Sequence, residues 1–334
     1  MLENFINQAP ILLVVLLLVV GFTLLIKGAD FFVEGASSVA KQFRVPSIII
    51  GLTVVAMGTS LLETAVSVTA SIANNNTLAI SNVTGSNIFN LMVVIGVCAV
   101  MTPVAVSRQT IVADIPFSAV CAVLLMVLGL LGIGDASGMT LGRLDGIVFI
   151  LLFAGYIFTL VRMTLAAQKR GEAVEVEGGS DEEIKLLPTW KSILFIVCGA
   201  AAIAFGGDLT VDTASRIAID LGMSQTLVGL TIVSIGTSLP ELVTSIVAAR
   251  KNEVDMALGN AVGSNVFNIL MVLGIASVIS PIAVITENIV DIVVLLVFTF
   301  IVWIFSATKK RIGKIEGAAM IVLYAIYVVY ICMR

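Results

Sequence analysis

Two short stretches place hydroxyl and carboxylate side chains one helical turn apart in apolar surroundings. Residues 51–63 read GLTVVAMGTSLLE and residues 229–241 read GLTIVSIGTSLPE, identical at nine of thirteen positions. On a helix, Thr59 and Ser60 lie four and three residues before Glu63 and share its face, as Thr237 and Ser238 do with Glu241. Gly58 and Gly236 precede these groups, and Pro240 lies inside the second. Such residues loosen a helix and can free carbonyls, here those of Ala56 and Ser234, to line a cavity. A second repeated stretch, GSNIFN and GSNVFN, sets Ser86 four residues before Asn90 and Ser264 four before Asn268.

These groups offer only oxygen: two carboxylates, hydroxyls, two amides and candidate free carbonyls. The chain has no histidine, and its cysteines (Cys98, Cys121, Cys198 and Cys332) lack metal-ligand spacing and read as small packed hydrophobes. An all-oxygen set suits hard cations. Ca²⁺ takes about six to eight oxygens in irregular geometry, and Na⁺ uses the same groups. Two carboxylates also balance the charge of one Ca²⁺. The plainer alternatives are a structural hydrogen bond or ion pair for the glutamates, back-bonding to helix carbonyls for Thr and Ser, and helix joining for the asparagines. The motifs contain no Lys or Arg to pair with either glutamate. Asn87 and Asn265 read equally as caps or ligands, and Asp30 and Asp208 as gating or interfacial groups. Asp114 and Asp291 read as structural groups near helix ends.

What must position these groups is a membrane bundle. Hydrophobic residues make up 59% of 334, charged residues 12%, and mean hydropathy is +1.14, too little charge to cover a soluble surface. A membrane carboxylate costs about 2.5–3.5 kcal/mol on insertion scales, so spending it twice calls for a function. Ten apolar segments of spanning length can be placed, at 9–40, 47–73, 77–101, 110–133, 141–166, 189–218, 224–250, 255–279, 287–308 and 313–332. The first is preceded by Glu3 and followed by no cleavage pattern, so it reads as a retained helix. The hydrophilic stretch Lys169 to Lys185 reads as a flexible linker, its acidic run from Glu172 to Glu183 as solvated chain. With that linker in the cytoplasm, fourteen Lys and Arg fall inside and three outside, which puts both termini outside.

An offset of 178 residues relates the halves, pairing Asp30 with Asp208, Pro103 with Pro281 and Gly85-Ser86-Asn87 with Gly263-Ser264-Asn265. The register slips later, yet residues 142–146 still resemble 313–317. Five helices per half invert the second half relative to the first, an architecture of transporters with a midplane site. The expected organisation is all-α: a first repeat at 1–168, a cytoplasmic linker at 169–188 and a second repeat at 189–334.

The paired GTSLLE and GTSLPE stretches, each followed by GSNIFN or GSNVFN, resemble the alpha repeats of the cation/calcium exchanger superfamily, in particular its prokaryotic sodium/calcium exchangers. The resemblance covers most of the chain. It implies a core of the second, third, seventh and eighth helices, across which the long first and sixth helices slide. It implies side-chain ligands at Thr59, Ser60, Glu63, Ser86, Asn90, Thr237, Ser238, Glu241, Ser264 and Asn268, and backbone ligands at Ala56 and Ser234. Leu62 stands where the motif usually has Pro, which predicts a smaller bend in the first helix than in its partner. Asn90 and Asn268 are both amides where several members carry Asp at one position.

The expectation is therefore an antiporter exchanging Na⁺ for Ca²⁺ by alternating access, in a plasma or bacterial inner membrane. Its partners would be the two ions and the bilayer, with no nucleic acid, no obligate protein partner and no cofactor beyond the transported ions. A Ca²⁺/H⁺ antiporter of the same architecture is the alternative, and a cation channel a more distant one. No nucleophile with a base and no nucleotide-binding loop points to an enzyme.

Overall fold

Glycine and small polar residues, more than large apolar ones, decide how closely the helices of this bundle meet. The computed structural model describes residues 5–6, 8–73, 76–132, 139–169, 186–223, 232 and 234–333. Helix α1 (Ile11–Gln42) precedes a broken span of α2 (Ser47–Thr59) and α3 (Leu61–Ile72), bent by 48°. Then come α4 (Leu78–Met101), α5 (Thr110–Leu131), α6 (Arg143–Ala166) and α7 (Thr189–Asp220). A short turn at Ser234–Gly236 leads into α8 (Leu239–Arg250). The chain ends with α9 (Val254–Ile279), α10 (Thr286–Lys309) and α11 (Lys314–Met333). Eight of these helices are long and apolar enough to span a membrane, nine spans counting the broken pair. The expected segment 224–250 lies partly outside the described residues, as does the expected linker.

Burial separates centre from periphery. The spanning windows of α4 and α9 are each 78% buried, against 22% for α1 and 17% for α11. The outer helices present apolar side chains such as Leu12, Leu151 and Val322 outward, as a helix facing lipid must. Of the cysteines, Cys98 and Cys121 are buried as expected, whereas Cys198 and Cys332 are exposed on the outside of the bundle.

Four two-residue strands tie the halves together. β1 (Val104–Ala105) pairs antiparallel with β4 (Arg311–Ile312), and β2 (Thr140–Leu141) with β3 (Ile282–Ala283). Their pairing counts membrane crossings. Between β2 and β3 the chain runs through α6, α7 and α9, and three crossings would leave the strands on opposite faces. A fourth crossing between Asp220 and Val254 is required, and α8 with its preceding turn is the helix described there. Ten crossings as two inverted sets of five satisfy both ribbons.

Helices α1 and α7 meet along a seam of glycines. A Cβ on Gly28 would fall 2.9 Å from the Ile203 nitrogen, and one on Gly199 would fall 2.8 Å from the Gly28 oxygen. A Cβ on Gly206 would fall 2.8 Å from the Gly21 oxygen. Since Gly21 and Gly28 map onto Gly199 and Gly206 at the 178-residue offset, the seam is its own mirror image.

Among the described residues, π-helical turns interrupt the α-helices at Gly51–Val55, Asn90–Val94, Thr110–Asp114 and Asn268–Val272, and Ile232 is also π-helical. Such a turn accommodates one inserted residue and often marks a functional position. Those at Asn90 and Asn268 are repeat equivalents. The turn at Thr110 has no counterpart in α10, and it begins the slip in register: IVADI at 111–115 matches IVDI at 289–292 with Ala113 inserted, which moves the offset from 178 to 177 on its way to 171 at residues 142–146.

Candidate functional site

The break between α2 and α3 falls on Ser60, whose ψ of 19° leaves the helical region. Ser238 does the same before α8, with ψ of 5°. Leu62 therefore does not prevent a sharp bend in the first helix. The angle of its partner lies outside the described residues. A helix broken at a serine turns that hydroxyl away from its own carboxylate, and here both cross over. Ser60 Oγ donates to Glu241 Oε1 at 2.7 Å, and Ser238 Oγ donates to Glu63 Oε1 at 3.4 Å. Each glutamate is thus held by the other half's motif.

The central helices complete the cluster. Ser86 Oγ on α4 donates to Glu63 Oε1 at 3.2 Å, and Asn268 Nδ2 on α9 donates to Ser86 Oγ at 3.3 Å. Asn90 Nδ2 donates to Asn265 Oδ1 and Asn268 Nδ2 to Asn87 Oδ1, both at 3.2 Å. Thr59 Oγ1 bonds back to the Val55 and Ala56 oxygens and reaches Asn260 Oδ1 at 3.1 Å. Thr237 Oγ1 mirrors it with Asn82 Oδ1 at 3.4 Å. Ser264 is buried one turn before Asn268. The Ala56 carbonyl accepts the Ser60 N–H at 3.1 Å. Of Ser234 only the helical backbone is described.

The deciding geometry is what remains unpaired. Glu63 and Glu241 are fully buried, and among the described residues Oε2 of each has no hydrogen-bond partner. The same holds for Oδ1 of Asn90 and of Asn268. Four buried acceptors from both halves are left with lone pairs unused, a condition that costs about 1–3 kcal/mol for each neutral group and more for a charged one. Among the described residues, neither glutamate takes part in an ion pair with Lys or Arg, and no group of three or more Asp, Glu, His or Cys gathers as a metal cluster. The arrangement can accept a hard cation and charge-balance it with two carboxylates. It contains no nucleophile–base pair.

Sequence reasoning missed a supporting layer. Asn260 Nδ2 donates to Ser245 Oγ at 2.9 Å and to the Glu241 carbonyl at 3.3 Å, while Asn82 Nδ2 donates to Ser67 Oγ at 3.2 Å. The 178-residue offset maps Asn82 onto Asn260 and Ser67 onto Ser245, so a search for repeated polar residues would have found them. Asn87 and Asn265 are neither caps nor free to act as ligands. They sit inside α4 and α9, where each Nδ2 donates to the other's carbonyl oxygen. Asp30, read as a gating or interfacial group, meets the end of α8: Lys251 Nζ lies 2.6 Å from its Oδ1 and 3.9 Å from Glu34 Oε2.

The model of the sodium/calcium exchanger protein family matches residues 13–162 and 191–333. The chain belongs to that family. It is accordingly a membrane transporter of the cation/calcium exchanger superfamily and not an enzyme. It is 37% identical to a putative antiporter, CaxA, of Alkalimonas amylolytica over 322 residues, covering 95% of this chain and 98% of the relative. It is 32% identical to the sodium/calcium exchanger MaX1 of Methanosarcina acetivorans over 348 residues, covering 94% and 97%. A solved structure of the sodium-calcium exchanger NCX_Mj, soaked without Na⁺ and Ca²⁺, superposes with a TM-score of 0.81 at 29% identity, covering 96% of this chain and all of the other. In this exchanger family member, the doubled motif thus stands at the interface of two inverted halves.

Proposed function

We infer that this exchanger carries Ca²⁺ against Na⁺, driven by the sodium gradient, and that Glu63 and Glu241 hold the cargo. The observation that carries this reading is the pair of buried carboxylates, one from each half, each with an unpartnered oxygen. Thr59, Ser60, Ser86, Asn90, Thr237, Ser238, Ser264 and Asn268 surround them as neutral oxygen ligands, with the backbone carbonyls of Ala56 and Ser234. Cargo entry displaces the crosswise serine bonds, since their hydroxyls can turn their lone pairs to a cation.

Charge explains the coupling. Two bare carboxylates are costly to carry through a low-dielectric barrier, whereas a site loaded with one Ca²⁺ is formally neutral. Reorientation then occurs with cations bound, and the two ion species exchange by competing for overlapping oxygens. The excess of Lys and Arg on one side orients the protein in a plasma or bacterial inner membrane with both termini outside and residues 169–188 in the cytoplasm.

The test is ⁴⁵Ca²⁺ uptake into proteoliposomes loaded with Na⁺, K⁺ or an acid interior, with Glu63→Gln and Glu241→Gln alongside. Uptake that requires internal Na⁺ and disappears in both variants supports the sodium-coupled site. Uptake driven equally by protons makes the protein a Ca²⁺/H⁺ antiporter. Uptake without any counter-ion gradient contradicts antiport altogether.

A further inference from the structure

A cavity of about 460 Å³ opens between α5 and α6, lined by none of the residues of the carboxylate site. Asp114, Phe117, Gly155, Tyr156 and Thr159 line it, with Leu151 and Met163 exposed at its rim. Asp114 is only 5% exposed. Its Oδ2 has no hydrogen-bond partner among the described residues. Beside it the rings of Phe117 and Tyr156 stack, 4.9 Å apart and 8° from parallel.

Two features of this place have no equivalent in the other half. Asp114 closes the π-helical turn created by Ala113, whose neighbouring Ile111 carbonyl is taken by the Trp303 indole N–H at 2.8 Å. Across the cavity, the offset of 171 that relates residues 142–146 to 313–317 maps Gly155 onto Ile326 and Thr159 onto Tyr330. The first half is small where the second is bulky. A Cβ added at Gly155 meets nothing within 4 Å, so close helix packing does not require this glycine. Its smallness leaves space.

We propose that this cavity binds a lipophilic ammonium ion from the bilayer. The head group sits against Asp114 Oδ2 and the Phe117–Tyr156 rings, and the alkyl body lies past Gly155 toward Leu151. The exposed apolar rim admits a hydrocarbon chain from lipid. A buried carboxylate with an unused oxygen selects a positive head over a neutral one, and aromatic faces add cation–π attraction. A neutral acyl chain would fill the space and leave Oδ2 unpaired, and an anion would be repelled. The proposal is independent of which ions the carboxylate site carries.

The chain has two tryptophans, Trp190 and Trp303, so Trp190→Phe leaves Trp303 as a reporter bonded one helical turn from Asp114. The full-length protein in nanodiscs is titrated with a bromoalkylammonium, and with the bromoalkyl alcohol and carboxylate of equal chain length, after correction for partitioning. The expected result is saturable quenching of Trp303 by the ammonium at concentrations at least tenfold below those of the alcohol. Asp114→Asn removes that preference, and Gly155→Ile with Thr159→Tyr, which installs the second half's residues, abolishes the quenching without lowering the unfolding temperature. Equal quenching by ammonium and alcohol in the parent protein overturns the proposal. So does ammonium quenching that persists in the filled double variant, which decides the matter alone where Asp114→Asn does not fold.

Discussion

Asn87 and Asn265 hold each other by the backbone: each Nδ2 donates to the other's carbonyl oxygen at 3.1 Å. They are repeat equivalents, and the two bonds cross the axis that relates the halves. Around them Asn90 and Asn268 donate to their side-chain oxygens, so four amides at the centre share one network.

Replacing either asparagine by alanine should therefore destabilise the protein by about 1–3 kcal/mol, the cost of stranding a buried partner. Each single removes one amide donor and leaves the other bond with both donor and backbone acceptor, so the double variant should cost less than the sum of the singles only as far as losing the first bond lets the helices part and weakens the second. Thermal unfolding in detergent measures both. Additive losses would show that the two residues act separately.

The four unpartnered oxygens make a prediction about cargo without transport. Ca²⁺ should stabilise the folded protein, by about 2.7 kcal/mol at a hundredfold excess over its dissociation constant. Glu63→Gln and Glu241→Gln should each remove most of that gain. An unfolding midpoint that ignores Ca²⁺ in the parent protein would remove the carboxylates from the binding role.

Two glycines should respond in opposite ways to alanine. Gly199→Ala forces a methyl against the Gly28 oxygen and the Phe32 nitrogen, both at 2.8 Å, which calls for a loss of about 1–3 kcal/mol from overpacking and slowed exchange. Gly155→Ala enters open space and should leave stability within about 0.5 kcal/mol or raise it slightly. Unfolding temperatures and ⁴⁵Ca²⁺ exchange rates compare the two.

Lys251 ties α1 to the end of α8. The acid pair Asp30 and Glu34 recurs as Asp208 and Asp212, but the position equivalent to Lys251 is Ala73. Lys251→Met should alter the ratio of apparent Ca²⁺ affinities at the two membrane faces. The pair is about one-third exposed and screened, so its worth stays below about 1 kcal/mol and the ratio should shift by less than about fivefold. Sided proteoliposomes at low and high salt measure it, and the shift should shrink as salt rises.

The membrane class, the repeat and the pairing of Glu63 with Glu241 could be read because buried carboxylates are rare in apolar segments and a doubled rarity is rarer still. The connectivity within the site could not. Spacing on a helix assigns Ser60 to Glu63, whereas the hydroxyl reaches Glu241, because the chain leaves helical geometry at Ser60. A local period cannot foresee where a broken turn will aim. Asn82 and Asn260 escaped notice for a different reason. A single asparagine in a helix has many ordinary uses, and only their shared register marks them. The first step of the slipped register had a local cause as well: one inserted alanine, absorbed by a π turn.

The two strand ribbons bear on what can move. They fasten the turns around α4, α5 and α6 to those around α9, α10 and α11 at both ends of the bundle. Neither ribbon includes α1 or α7, which are joined to each other through the glycine seam, the Phe31–Phe195 ring contact and the Ser192–Ser38 and Thr189–Gln42 hydrogen bonds. Mechanically this divides the protein into a clamped frame and a closely joined pair of struts. Displacing one strut would carry the other with it, so the surface along which this pair can shift is the one it shares with the frame.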